Sequence, residues 1–535
     1  MLVVLIQPRT PSAALDYRYR GEHLGLSSLV AVLKRAGHRA LQLDDALDRR
    51  NLADTLLILK ALRPDLVGVT VPAQTAAGTT ISYIEAIRKT LPQTPTCTGG
   101  IFATVAHEEF MRRCPSIDFL LRGEGEETMP KLLDALGDEQ KLSQVAGLSY
   151  RRSNGDVVHN PLPPLVDVTK LPPVDRSSIG PLIAENRRVA LYAGRGCYGE
   201  CSFCSLHAFW GARCVRKRSP ESVVEEMISL SDMGVRKLRF IDDIFLDSSK
   251  ESKRWLDRFE NLLQAEQRSF NLWMQFRAQD VDKEMLKRLR KLGLKKMLIG
   301  VESGDQKSLD AMKKHTDVAQ NIEAVEKAIA AGVNEVAIGF IMFHPDSTFE
   351  SIGNNLEFLA RMPTFRYKNL FSKASAYAGT AMYAKIVDEG LEIPGENWYD
   401  VCDYYFVDSR VQQLWDYSRR LRIGFAHGIW FETALDVEER FLKGSRIDYP
   451  AKTELHALGV EFRAMLSQQM LERFQSIFYC VGNGLFPEQD CFEMPSELLE
   501  LINRIQVLLP IAQQQVGLPT GYNMPEETLE DILKL

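Results

Sequence analysis

A chain of 535 residues exceeds what one hydrophobic core usually serves, so two or three domains are expected. With 45% apolar and 25% charged residues the composition is that of an ordinary globular protein, and a net charge of −6 gives no global attraction for nucleic acid. No apolar run reaches bilayer-spanning length, the start lacks the basic segment of a signal peptide, and an odd cysteine count of nine points to a reducing cytoplasm rather than to disulfides.

Residues 1–140 alternate strand and helix patterns. Val3–Ile6 reads as a buried strand, followed by a helix with Leu26, Leu29, Val30 and Leu33 on one face that closes near Gly37. Strands follow at Arg39–Leu43, Asp65–Thr70, Thr96–Gly99 and Ile117–Leu121, with helices over 52–62 and 80–91 and a last one after Gly123. Five such units predict an α/β, doubly wound, Rossmann-like parallel sheet that binds its ligand at the carboxyl ends of the strands. The loops there carry the candidate binding residues: Pro8, Arg9 and Thr10; Thr70, Gln74 and Thr75; Gly99, Gly100 and Ile101; Gly123, Glu124 and Gly125. Glycine there lets the backbone approach a ligand or take a positive φ. Ordinary turns and helix-start acids are the plainer alternative.

Residues 141–185 read as a linker, with a hairpin-like piece around Asn154-Gly155 and a proline-rich stretch, Leu171-Pro-Pro-Val-Asp-Arg176. Over 186–385 the alternation resumes. A strand at Arg188–Ala193 runs into Cys197, Cys201 and Cys204. Ser219 and Pro220 then open a helix with Val223, Val224 and Met227 inward. Strands at Lys237–Ile241, Leu272–Arg277, Met297–Val301, Val336–Met342 and Asn369–Ser372 bring the count to six, and Val318, Ile322, Val325 and Ile329 mark one helix stripe. Six βα units suit a partial barrel with its site at the strand C-termini. Asp242, Asp243, Arg277, Glu302, Ser303 and His344 stand at those ends. Asp243 or Ser303 could equally be a helix cap, whereas Arg277 and Glu302, charged ends of apolar strands, need partners if buried. The basic run Arg213–Arg218 reads as a solvated loop. Residues 386–535 read as a mostly helical C-terminal domain that opens on the aromatic segment 398–405, with Cys402, Cys480 and Cys491 as packing.

The three cysteines have the spacing Cys-x3-Cys-x2-Cys. A cubane iron–sulfur cluster normally takes four thiolates, so three leave one iron open to a substrate or cofactor. A Cys3His zinc site with His207 is the alternative, although structural zinc sites usually draw two separated pairs of ligands.

The stretch Arg-Gly-Cys-Tyr-Gly-Glu-Cys-Ser-Phe-Cys resembles the signature of the radical S-adenosylmethionine (SAM) superfamily. The resemblance implies a [4Fe–4S] cluster on Cys197, Cys201 and Cys204, with the amino and carboxylate groups of SAM on the open iron. It places Phe203 near the adenine and the strand-end residues Asp242, Asp243, Arg277, Glu302, Ser303 and His344 around the rest of SAM. Gly99-Gly-Ile-Phe-Ala-Thr104 and Gly123-Glu-Gly-Glu126 are similar to motifs of the cobalamin-binding domain fused to many such enzymes, with Phe102 where a histidine often stands. The Asp-x-His-x-x-Gly motif is absent and His23 has the wrong spacing, so cobalamin is expected without a histidine ligand from this chain. The implied activity is cobalamin-dependent radical methylation of an unactivated carbon, or of phosphorus, in a small-molecule substrate. It uses an external one-electron reductant and no nucleic acid. Radical rearrangement, cyclisation or oxidation without net methylation is the alternative, and a corrinoid-binding carrier is a third. A tRNA methylthiotransferase is disfavoured, because the N-terminal part lacks that family's cysteine triplet.

Overall fold

Two mainly parallel sheets carry the molecule. The structure, a computed structural model, describes residues 1–10, 21–211, 214–432, 435 and 450–515. In the first sheet β1 (Leu2–Gln7), β2 (Arg39–Asp44), β3 (Leu66–Thr70), β4 (Thr96–Gly99) and β5 (Phe119–Leu121) run parallel in the order β2-β1-β3-β4-β5. The order reverses between β1 and β3, where a doubly wound sheet leaves its crevice. Helices cover both faces, so alternate residues of a strand serve different cores. Val3 and Leu5 pack with Leu26, Val30 and Met129, and Val4 and Ile6 pack with Leu59, Tyr83 and Ile84. Helix Leu52–Leu62 starts with a reciprocal cap between Asn51 and Asp54.

The hairpin expected in the linker belongs to this sheet. Strands β6 (Leu148–Arg151) and β7 (Val157–His159) pair antiparallel and extend the sheet from β5. Leu148 and Tyr150 supply the reason: both are fully buried in the core under β5. Leaving them in a free linker would expose apolar surface.

The second sheet begins with β8 (Val189–Leu191). A two-stranded flap of β9 (Gly194–Arg195) and β10 (Arg216–Lys217) follows, then β11 (Lys237–Phe240), β12 (Asn271–Arg277), β13 (Leu294–Glu302) and β14 (Glu335–Phe340). All main strands are parallel, in the order β14-β13-β12-β11-β8. The sixth predicted strand is reduced to one bridge, in which Met342 and Phe343 both donate to the Ser372 carbonyl at 2.8 and 3.0 Å. Residues Tyr367–Phe371 form a 3-10 turn instead, because the Asn369 amide oxygen accepts from the Arg366 N–H at 2.9 Å and closes it.

Helix Val318–Ala330 is turned from the predicted stripe. Asn321, Ala324, Val325 and Ala328 face inward, and Ile329 is 44% exposed. Asn321 sets the rotation by donating to the Val301 and Ser303 carbonyls at 3.0 and 3.1 Å.

Helices Ser409–Gly424, Pro450–Gly482 and Ser496–Gln515 close over the barrel, sharing its core through Phe343, Phe371 and Phe474. Trp398 and Tyr399 join the core of the first sheet, where Trp398 lies 6.3 Å from Phe102 and 4.9 Å from Phe110 between ring centroids. Among the described residues no helix is long and apolar enough to cross a membrane.

Candidate active site

The three cysteines line a cavity of about 180 Å³ at the C-terminal ends of β12 and β13, together with Phe203, Asp243, Gln275, Arg277, Glu302 and Lys314. Local geometry shapes the loop. Gly196 has φ +93°, and a Cβ there would lie 2.2 Å from the Cys214 carbonyl oxygen, so only glycine fits. The Gly196 N–H donates to Asp243 at 2.8 Å. At Gly199 a Cβ would overlap Arg277 Nη1 at 2.1 Å, so the missing side chain lets the guanidinium lie against the loop. Arg277 holds Nη1 3.6 Å from Cys201 Sγ and donates from Nη2 to the Lys314 carbonyl at 2.6 Å.

Burial pushes the Cys204 thiol up to about 11 and raises that of Cys197, so both stay protonated unless a metal supplies the counter-charge. Among the described residues no three His, Cys, Asp or Glu side chains converge on a single-ion position. Instead the thiols spread around one cavity wall, which fits a cluster that offers each thiolate its own iron.

Glu302 has φ +68° at a register shift between β13 and β14, and Lys313 and His315 have φ of +52° and +55°. Such backbone is costly for residues other than glycine and persists where tertiary structure imposes it. Its effect here is to aim two charges into the cavity: Lys314, 4% exposed, sets its Nζ 2.9 Å from Glu302 Oε1. Lys314 and Gln275 carry no mark in the sequence, since neither ends a strand and backbone strain leaves no residue signature.

Three strand-end candidates lie outside this wall. Asp242 turns behind β8, accepts from the Ala193 N–H at 2.9 and 3.1 Å, and is pushed up to about 6 by burial. Ser303 is fully buried, donating to Asn355 Oδ1 at 2.8 Å and accepting from the Asp305 N–H at 3.1 Å, so it organises a turn. His344 is 1% exposed, both ring nitrogens are without a hydrogen-bond partner, and burial lowers its pKa to about 4.

A second cavity, of about 320 Å³, opens at the reversal point of the first sheet. Of the strand-end loop residues, Thr70, Gly99, Gly100, Ile101, Gly123, Glu124 and Gly125 line it, facing Tyr192, Arg195 and Trp210 from the segment that follows β8. Gly100 has φ +113°, and a Cβ there would come within 2.4 Å of the Val71 carbonyl oxygen. The glycines at four of these positions leave the rim low and the rest of the lining largely apolar, which fits a broad, flat group. Pro8, Arg9 and Thr10 lie off it, with Arg9 reaching toward the Arg49 carbonyl on the β2 side. Gln74 is buried for another purpose: its Nε2 donates to the Asp400 carbonyl at 2.8 Å and its Oε1 accepts from the Ala378 N–H at 3.0 Å. Thr75 is exposed outside the cavity, and Phe102 faces away from it, into the core with Trp398.

His23 lines this cavity, although its spacing suggested no role there. Its Nδ1 accepts from the Leu26 N–H at 3.1 Å and caps the helix, while burial lowers its pKa to about 4. A neutral ring with Nδ1 accepting carries its proton on Nε2, so no lone pair is left there for a metal.

The seam between the sheets is ionic. Arg195 pairs with Glu124 and Glu126 at 2.8 and 2.7 Å, and Arg216 reaches Glu124 at 2.6 Å. Arg218 pairs with Glu226 at 2.6 Å. The basic run expected to be solvated is therefore interior here, because acids from both sides meet it: Glu124 takes Arg216, Asp242 takes Lys217 and Glu226 takes Arg218; Arg213 lies outside the described residues. The two cavities meet at Leu206, Trp210 and Asp243, which line both.

The radical SAM superfamily profile matches residues 191–359, and the B12 binding domain profile matches residues 13–133. The chain is 29% identical over 405 residues to the uncharacterized methyltransferase PH0819 of Pyrococcus horikoshii, covering 74% of this chain and 85% of that protein. It is 28% identical to the anaerobic magnesium-protoporphyrin IX monomethyl ester cyclase of Rubrivivax gelatinosus, covering 61% of this chain and 60% of the cyclase. The cobalamin-dependent SAM radical enzyme OxsB, solved with aqua-cobalamin and SAM bound, shares the fold at TM-score 0.77 and 17% identity, over 100% of this chain and 83% of that one. With a three-thiol loop on one sheet and a glycine-lined crevice on the other, the chain belongs to the cobalamin-dependent radical SAM enzymes, which use a [4Fe–4S] cluster, SAM and cobalamin.

Proposed function

We propose that the chain methylates an unactivated carbon of a small-molecule substrate. The observation that carries this reading is the junction of the two cavities at Leu206, Trp210 and Asp243, which puts the place for a sulfonium beside the place for a corrin. When bound, the cluster with SAM supplies a substrate-activating carbon radical, and cobalamin supplies a transferable methyl group.

The chain's own work is holding, orienting and excluding water. Cys197, Cys201 and Cys204 hold the cluster, with Arg277 as a cation against it. Phe203 gives an apolar face for the adenine, Lys314 an ammonium for the carboxylate of SAM, and Glu302 a carboxylate for its amine or ribose. Gly99, Gly100, Gly123 and Gly125 leave room for the corrin and its tail. The Glu124–Arg195 seam shuts water out from between the sheets. Electrons come from an external one-electron donor in a reducing cytoplasm.

Radical cyclisation or oxidation without methyl transfer is a second reading, favoured by the similarity to the cyclase. The test is anaerobic turnover of the reconstituted enzyme with methyl-deuterated SAM and candidate substrates. A product carrying the labelled methyl supports methylation, and 5′-deoxyadenosine with an unmethylated, altered product supports the second reading. Absence of 5′-deoxyadenosine sinks both.

A further inference from the structure

We propose that Trp210, held by Asp243, is the partition between the two cofactor cavities and sets how the sulfonium and the corrin approach one another. Trp210 and Leu206 lie four residues apart in the helix Ser205–Trp210, on the same side, and both line both cavities. The indole is fixed from three directions. Its Nε1–H donates to Asp243 Oδ2 at 3.1 Å, the Arg216 guanidinium lies 4.9 Å from its ring centroid, and the Phe209 ring meets it edge-on at 4.7 Å.

Each anchor reports to a different part of the site. Asp243 also accepts from the Gly196 N–H at the cysteine loop, and Arg216 is bonded to Glu124 on the rim of the first sheet. The indole is therefore tied at once to the loop that holds the cluster and to the sheet that holds the corrin. A tryptophan serving only as core would be enclosed by side chains, whereas this one stays half-buried with open space on two sides. A flat π face suits both neighbours: it attracts a sulfonium cation and covers an apolar macrocycle while keeping water out. Trp210 is a positioning residue on this account. The inference rests on the two cofactors and not on methyl transfer.

The test compares Trp210→Ala and Trp210→Phe with the wild type, as anaerobically reconstituted holoenzymes. Iron and sulfide content, aquacobalamin affinity, SAM affinity and the visible spectrum of bound cobalamin are measured. The expected result for Trp210→Ala is wild-type iron and sulfide, a loss of about ten-fold in both affinities, and a shifted spectrum of bound cobalamin. Trp210→Phe, which keeps a ring, recovers most of both affinities. Unchanged affinities overturn the proposal. A loss confined to one cofactor also overturns it, because Trp210 then serves a single site. Loss of cluster and cobalamin together from both variants overturns it too, marking Trp210 as core. A wild type that binds both cofactors but makes no methylated product sinks the proposed function alone.

Discussion

Arg195, on the flap of the second sheet, reaches across to Glu124 at the rim of the first at 2.8 Å, and its other terminal nitrogen takes Glu126 at 2.7 Å. Each carboxylate gains a second tie: Glu124 accepts from Arg216, and Glu126 accepts from the Ser28 hydroxyl at 2.8 Å. The Arg195 guanidinium also lies 5.0 Å from the Tyr192 ring centroid. Removing one member strands a buried opposite charge, which costs about 3–5 kcal/mol. Arg195→Leu is therefore expected to lower the unfolding midpoint sharply and to weaken cobalamin binding. The triple change Arg195→Leu, Glu124→Leu and Glu126→Leu should recover part of the stability but not the cofactor affinity. Thermal melts and cobalamin titrations on both proteins check this.

Lys314 is the strongest candidate for a SAM contact that its sequence position did not advertise. Lys314→Met keeps the length of the stem and removes the ammonium. It is expected to weaken SAM binding about ten-fold or more, since a charge-assisted hydrogen bond is worth roughly 1.5–3 kcal/mol. Iron content and cobalamin affinity should stay unchanged, because neither cavity loses its framework. Isothermal titration with SAM on the cluster-loaded protein decides; equal SAM affinity would remove Lys314 from the site.

The buried imidazole of His344 makes the fold sensitive to acid. Its folded pKa, about 4, lies below the ordinary 6.5, so between those values the unfolded chain binds the extra proton. Its neutral form is therefore compatible with full stability above about pH 6.5, and stability is lost as pH falls toward 4, by up to ~3 kcal/mol. His23 acts with the same sign. Asp44 and Asp242, pushed up to about 7 and 6 by burial, act with the opposite sign. The net profile is thus a sum, and the variant isolates one part of it. His344→Leu should lose less melting temperature than the wild type between pH 7 and about 4.5. Parallel pH slopes would assign the acid sensitivity elsewhere.

Gly100 tests the crevice. Its φ is +113°, and a Cβ at this position would stand only 2.4 Å from the Val71 carbonyl oxygen, so alanine is a strained replacement. Gly100→Ala is expected to cost about 1–3 kcal/mol and to lower cobalamin affinity while the cysteine loop still assembles its cluster. Absorbance of the two cofactors, measured on the same sample, separates these effects.

What the residues announced in advance was mostly what local chemistry decides. The Ser219–Pro220 helix start and the Asn154-Gly155 turn each follow from a few adjacent side chains, and the cysteine spacing is itself local. The polar residues after the strands were harder. Asp242 and Asp243 are neighbours, yet one turns to the backbone just past β8 and the other into both cavities, and a strand pleat gives that alternation without its phase. Ser303 and His344 looked like ligands because strand ends often are, but the Ser303 hydroxyl is spent on Asn355, and the His344 ring is buried away from the cavity with only its backbone N–H bonded, to Ser347. Ile329 was displaced from the core by Asn321, a polar residue whose two carbonyl partners, Val301 at the end of β13 and Ser303 just past it, lie 20 and 18 residues earlier. Trp210 and Lys314 sit on a six-residue helix and a strained loop, where no hydrophobic period exists to mark them.

The tether at Gln74 bears on the order in which the protein can be built. Its partner Asp400 lies 326 residues further along, in the segment that also delivers Trp398 over Phe102 and Phe110. On the ribosome the first sheet is complete long before those residues emerge, so its aromatic flank and one amide wait uncovered. A fragment ending after the barrel would keep Ala378 but lose Asp400 and Trp398, so the Gln74 Nε2 would lack its acceptor and the Phe102 and Phe110 rings their cover for good.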